Sequence, residues 1–171
     1  MPTAPQPGVT CFGFPADAEA MQSWRYIPMS VRFALDRAGV TIALSEWQAL
    51  PLPARRQLVA ASLDSARDED GGGGGDDDDG GGFGALLDAA MRQHIGRAPA
   101  VLDAAPDASW RALDALPAAV LAQYAWAGLA PAPAEAWRRL PPLARYTLVK
   151  MSRKPRPNDA FTLALAELRL L

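Results

Sequence analysis

Trp47-Gln-Ala-Leu-Pro-Leu-Pro-Ala-Arg-Arg-Gln-Leu-Val-Ala-Ala-Ser62 and Trp137-Arg-Arg-Leu-Pro-Pro-Leu-Ala-Arg-Tyr-Thr-Leu-Val-Lys-Met-Ser152 are two passages of one chain through the same pattern. Eight of the sixteen aligned positions are identical: Trp, Leu, Pro, Ala, Arg, Leu, Val and Ser. With a one-residue shift the match extends upstream. Ile27-Pro28 and Val31 pair with Leu116-Pro117 and Val120, and Gly39 pairs with Gly128. The unit reads as helix, glycine cap, short loop, tryptophan-bearing short helix, proline turn, helix, because glycine closes a helix in the left-handed conformation without a Cβ penalty. One such unit leaves a large apolar face in water, whereas two facing copies bury both tryptophans together. The expected fold is all-α: a small helical domain with an internally duplicated helix-loop-helix unit packed with pseudo-two-fold symmetry. Val31, Leu35, Trp47, Leu58, Val120, Trp137 and Leu148 are its expected core.

The rest of the chain arranges itself around this pattern. Its 171 residues, half of them hydrophobic, fit one domain, here 11–171, preceded by a flexible tail over 1–10. Phe12-Gly13-Phe14 suggests a short extended piece, followed by a short helix over 16–25. Pro28 opens a helix that Gly39 closes. Ser45 with Gln48 three residues on reads as a capping box. A third helix is expected over 54–63. Residues 64–82 then lose nearly all apolar character and contain Asp-Glu-Asp-Gly-Gly-Gly-Gly-Gly-Asp-Asp-Asp-Asp-Gly-Gly-Gly, a composition that cannot offset its own ordering entropy. They read as a disordered acidic, glycine-rich insertion. Helix resumes at Phe83 and runs to about Arg97, and 98–106 is a connector. Asp107 or Asp114 caps the helical remainder, which breaks at 128–133, 141–142 and 155–157. Asn158 caps the last helix, with Phe161, Leu165 and Leu168 on one stripe.

The side chains that usually carry catalysis are sparse. His94 is the only histidine, and Met91-Arg-Gln-His-Ile-Gly offers no partner at ligand spacing. Cys11 is the only cysteine, which excludes an internal disulfide and suits a reducing, cytoplasmic compartment. No phosphate-binding glycine motif occurs, and the glycine run is followed by aspartates that would repel phosphate. The start resembles no signal peptide, and no window has the roughly 18 apolar residues that span a membrane. No catalytic residue, metal site or cofactor is expected.

Charge is the more informative signal. Residues 64–79 carry −7 and the rest of the chain +5. Seven bases fall between Arg138 and Arg156 with no acid among them. An acidic pI near 5.4 and four interrupting prolines argue against a nucleic-acid recognition helix. A docking patch for an acidic protein surface fits better, with Arg32, Arg145, Lys150, Arg153 and Arg156 as its residues. Arg145 and its repeat equivalent Arg55 also admit the commoner reading, in which their stems pack and their guanidinium groups bond a carboxylate or a helix C-terminus.

Three stretches resemble the nitrate reductase-associated protein family. They are Ile27-Pro-Met-x-Val31-Arg32-x-x-Leu35-Asp36-x-x-Gly39, the Trp47-x-x-Leu50 element with the Arg and Leu after it, and Leu148-Val149-Lys150-x-Ser152-Arg153 leading into Asn158-x-x-Phe161. Their order carries the match, from about Cys11 to Leu168. The resemblance implies a non-catalytic accessory protein that supports maturation or activity of assimilatory, molybdenum-cofactor-dependent nitrate reductase, its partner. The alternative is a regulatory interaction module in nitrogen metabolism that binds nucleic acid or a signalling partner.

Overall fold

The computed structural model describes residues 22–70 and 81–171. The expected tail 1–10, the Phe12–Phe14 piece and residues 71–80 of the acidic tract lie outside the described residues. The architecture is mainly helical. Helix α1 (Met29–Arg37) leads into a two-residue strand β1 (Val40–Thr41), then α2 (Leu44–Ala49) and the long α3 (Leu52–Asp70). Helix α4 (Gly81–His94) is followed by β2 (Ala100–Val101) and a single 3-10 turn at Ser109–Arg111. Helices α5 (Ala118–Trp126), α6 (Ala134–Arg139), α7 (Pro142–Met151) and α8 (Asp159–Glu167) complete the chain. The two strands pair antiparallel, Val40 with Val101 and Thr41 with Ala100, an element the sequence pattern did not announce.

Helix α7 is the hub. Every residue from Pro142 to Val149 is buried, so the helix has no solvent face over most of its length. It packs against α1, α3, α5, α8 and the 3-10 turn. Phe33 of α1 sits edge-on to Trp110 at 5.1 Å and tilts over Tyr146 of α7 at 4.9 Å, the offset geometry that aromatic quadrupoles favour. Tyr124 of α5 meets Phe161 of α8 edge-on at 5.6 Å. Helices α1 and α3 are tied by hydroxyls: Ser62 donates to Val59 O at 2.7 Å and lies 2.9 Å from Ser30 Oγ, all of it buried.

The expected core residues Val31, Leu35, Trp47, Leu58, Val120, Trp137 and Leu148 are all buried. The two tryptophans are anchored alike. Trp47 Nε1 donates to Trp24 O at 3.1 Å, and Trp137 Nε1 donates to Ala112 O at 2.8 Å. Each acceptor lies in the segment that leads into the helix before it. Gly39 and Gly128 both have left-handed backbones, φ +66° and +67°, which is what stops α1 and α5.

Several local expectations need correction. Helix α2 begins earlier than Ser45, at a cap position held by Ala43; alanine has no capping oxygen, so Glu46 reaches back and accepts from Ala43 N–H at 2.8 Å. Gln48 instead donates to Arg25 O. Helix α3 does not stop at Leu63 but continues to Asp70, so the insertion cannot begin at 64. Small and polar residues sustain this extension: Ala66 is buried, and Arg37 Nη1 donates to Ser65 O and Oγ. Helix α4 ends at His94, where Gly96 with φ +86° turns the chain, and not near Arg97. Asp107 precedes the Ala108 cap of the 3-10 turn and accepts from Ser109 N–H at 2.9 Å, while α5 starts after Pro117 and Asp114 caps neither. Asn158 caps α8 as expected, accepting from Ala160 N–H at 3.0 Å.

Candidate functional site

Where α7 ends, Ser152 closes the helix and its hydroxyl folds back onto Leu148 O at 2.7 Å. The chain then turns through Arg153, Lys154, Pro155, Arg156 and Pro157 before Asn158 starts α8. This turn is pinned at both ends: Asn158 Nδ2 donates to Met151 O at 3.0 Å, and Gln123 Nε2 donates to Arg156 O at 2.9 Å. Its backbone is therefore fixed while the side chains of Arg153, Lys154 and Arg156 stand in solvent.

Opposite this turn lies the entry to α1. Between the two walls runs an open groove of about 1120 Å³. Arg32 projects from α1 with its Nε donating to Ile27 O at 3.0 Å, which fixes the guanidinium over the groove. The lining gathers five cations, Arg32, Lys150, Arg153, Lys154 and Arg156, against one acid, Asp159. Among the described residues, Arg32, Arg153, Lys154 and Arg156 have no carboxylate within ion-pair distance. The floor is apolar, from Ile27, Met29 and Met151, with the half-exposed ring of Tyr26 on the rim.

Lys150 is the cation with a partner. Its Nζ lies 2.8 Å from Asp36 Oδ2, and Tyr146 OH donates to the same oxygen at 2.7 Å. The three side chains clamp α7 to α1 between the groove and a smaller recess of about 330 Å³ beside Leu102–Asp107. Burial first, and then the hydrogen bond to the Asp36 carboxylate, push the Tyr146 phenol well above the usual tyrosine range.

Four of the five expected docking residues, Arg32, Lys150, Arg153 and Arg156, thus line one groove. Arg145 does not reach it. Its side chain is buried, with Nε donating to Trp110 O at 2.9 Å and Nη1 to the α6 cap carbonyl of Leu140. Arg55 likewise donates to Trp24 O. Both repeated arginines bond backbone carbonyls: the buried Arg145 has several of them, whereas the partly buried Arg55 has Trp24 O alone among the described residues and leaves its Nε without a hydrogen-bond partner there. Lys154 and Tyr26 belong to the groove and were not singled out from the sequence. Lys154 was within reach there, since it sits inside the same acid-free run of bases.

His94 is exposed at the end of α4, and among the described residues no three His, Cys, Asp or Glu side chains gather as metal ligands. Among the described residues no helix is long and apolar enough to cross a membrane.

The model of the family described as conserved nitrate reductase-associated protein matches residues 11–168. No curated protein and no solved structure matches the chain.

Proposed function

The chain belongs to the conserved nitrate reductase-associated protein family, and from that premise we propose that it is a non-catalytic, chaperone-like accessory protein. It binds assimilatory, molybdenum-cofactor-dependent nitrate reductase in the cytoplasm and supports the enzyme's maturation or activity. The family match over nearly the whole chain is the observation that carries this reading. The basic groove supports it with a surface suited to protein docking. Four cations that have no ion-pair partner among the described residues, three of them on a pinned turn, would attract an acidic surface and speed encounter. Arg32, Arg153 and Arg156, joined by Lys154, are the proposed contacts, and Lys150 contributes less because Asp36 already offsets its charge.

On this reading the two matched halves are a duplicated unit packed about a pseudo-two-fold axis. The paired glycine caps and the tryptophan anchors of the two halves support that view. Each half needs the other to cover its apolar face, and the groove lies at the entry to α1, where the end of α7 from the second half reaches the first.

Deleting the gene tests the function directly. Nitrate reductase activity and molybdenum content of the purified enzyme should both fall, with growth on ammonium unchanged. Normal activity in the deletion strain would remove the accessory role. Affinity capture from nitrate-grown cells distinguishes the regulatory alternative, which requires recovery of nucleic acid or a signalling protein in place of the enzyme.

A further inference from the structure

Resting on the reading just given, we propose that the groove takes an extended acidic peptide segment of the partner. An apolar side chain of that segment seats on the methionine floor between the cations. Three features of the groove point to a linear segment in preference to a folded acidic face.

The first is shape. At about 1120 Å³ the groove exceeds the roughly 300–1,000 Å³ typical of small-molecule pockets, and it is open to solvent. A flat acidic face would meet the exposed Arg153, Lys154 and Arg156 at the rim but would leave the floor empty. An extended strand enters the groove and reaches both.

The second is the segregation of chemistry across the groove. Arg153, Lys154 and Arg156 are exposed, whereas the apolar lining residues Ile27 and Met151 are buried and Met29 is partly buried, so the apolar lining lies deeper than these three cations. In an extended peptide successive side chains point to opposite sides, so an apolar residue can face the floor while its acidic neighbours point back toward the rim, where Arg153, Lys154 and Arg156 are exposed. Methionine suits such a floor because its flexible thioether adapts to different apolar shapes.

The third is preorganisation. Gln123 and Asn158 hold the Arg153–Pro157 backbone from both sides. The ordering cost on binding then falls mainly on the peptide and on the charged side chains, as is usual where a rigid receptor captures a flexible segment.

The test uses short overlapping peptides that tile the nitrate reductase of the same organism, measured for binding to the full chain. Peptides carrying an apolar residue flanked by Asp or Glu should bind and should compete with the intact enzyme. Replacing the apolar residue by Gly, or using the Arg153→Glu/Lys154→Glu/Arg156→Glu variant, should each weaken binding about tenfold or more. A milder Lys154→Gln/Arg156→Gln variant gives the same readout with less disturbance, and an unchanged melting midpoint shows that each variant is folded. If the intact enzyme binds through these cations but no peptide binds or competes, the partner presents a folded face and this inference fails alone. If neither the enzyme nor any peptide binds, the accessory reading fails with it. If an oligothymidylate binds as tightly as the best peptide, the groove is a general polyanion site and the inference is overturned.

Discussion

Asp36 Oδ2 accepts from two donors on α7, Tyr146 OH and Lys150 Nζ, and so joins the first helix to the hub. The phenol is protonated in the folded chain far above the pH at which an unfolded tyrosine ionises, about 10. Above that pH the unfolded state holds fewer protons than the folded state, so stability present below it is lost as pH rises. Tyr146→Phe should lower stability at neutral pH by about 1–2 kcal/mol through loss of the charge-assisted bond. It should also shallow the alkaline limb of a denaturation series above pH 10. Tyr124, raised by burial, would sustain the remaining slope. Trp47→Ala and Trp137→Ala should each cost about 3–5 kcal/mol in urea denaturation, as for other fully buried aromatics. These tryptophans were legible in the sequence because a large apolar residue repeated in register has few places to go but the core. Arg145 was legible in part: its match to Arg55 pointed to a packing role, but a guanidinium in a basic run looks the same whether it meets solvent or carbonyls. Arg145→Met should therefore destabilise the fold by about 1–3 kcal/mol, by orphaning Trp110 O and Leu140 O. Partner capture by the folded fraction should stay at the parent level.

Among the elements, helix starts and stops marked by proline, glycine or asparagine were readable, because each has a specific backbone consequence. Gly39, Gly128 and Asn158 behave as their chemistry requires. The misread boundaries have two causes: local chemistry that was read at the wrong residue, Glu46 reaching back to Ala43 and Gly96 turning the chain after His94, and tertiary contact that extended an element where local composition was neutral. Helix α3 shows the second cause best. Past Leu63 it has no large apolar side chain, yet Ala66 is buried and Ser65 receives Arg37 from α1. The β1–β2 bridge is similar, resting on main-chain pairing that side-chain pattern does not encode. A short Gly/Ser linker in place of 71–80, a stretch with no apolar residue, should leave the melting midpoint where it is. The same linker in place of 64–82 removes Ser65 and Ala66 and should lower the midpoint by several degrees in differential scanning calorimetry. Equal midpoints for the two replacements would mean that the last turns of α3 add nothing to the fold.

At the scale of the whole molecule, charge is uneven, −7 over residues 64–79 and +5 elsewhere, and the groove concentrates five of the cations in one place. The sequence announced the charge but not the groove, because Arg32 lies more than a hundred residues from Lys150 and only the packing of α1 on α7 brings them into one lining. Family membership was legible through the order of the motifs and not through any one residue in them. Cations on a solvent-facing rim act chiefly on encounter: they raise the association rate and make it sensitive to salt, with a screening length of about 8 Å at physiological ionic strength. Reversing Arg153, Lys154 and Arg156 leaves more acids than bases around the groove, so it should slow association with nitrate reductase and invert its dependence on salt, added salt now speeding capture, as read by surface plasmon resonance over a salt series. The dissociation rate should rise as well, because Arg32 and the apolar floor hold a segment whose carboxylates now face like charge. Cells carrying the variant should grow poorly on nitrate and normally on ammonium. Growth on nitrate equal to the parent would mean that these charges serve only to solvate the turn, and the binding surface would then have to be sought elsewhere on the molecule.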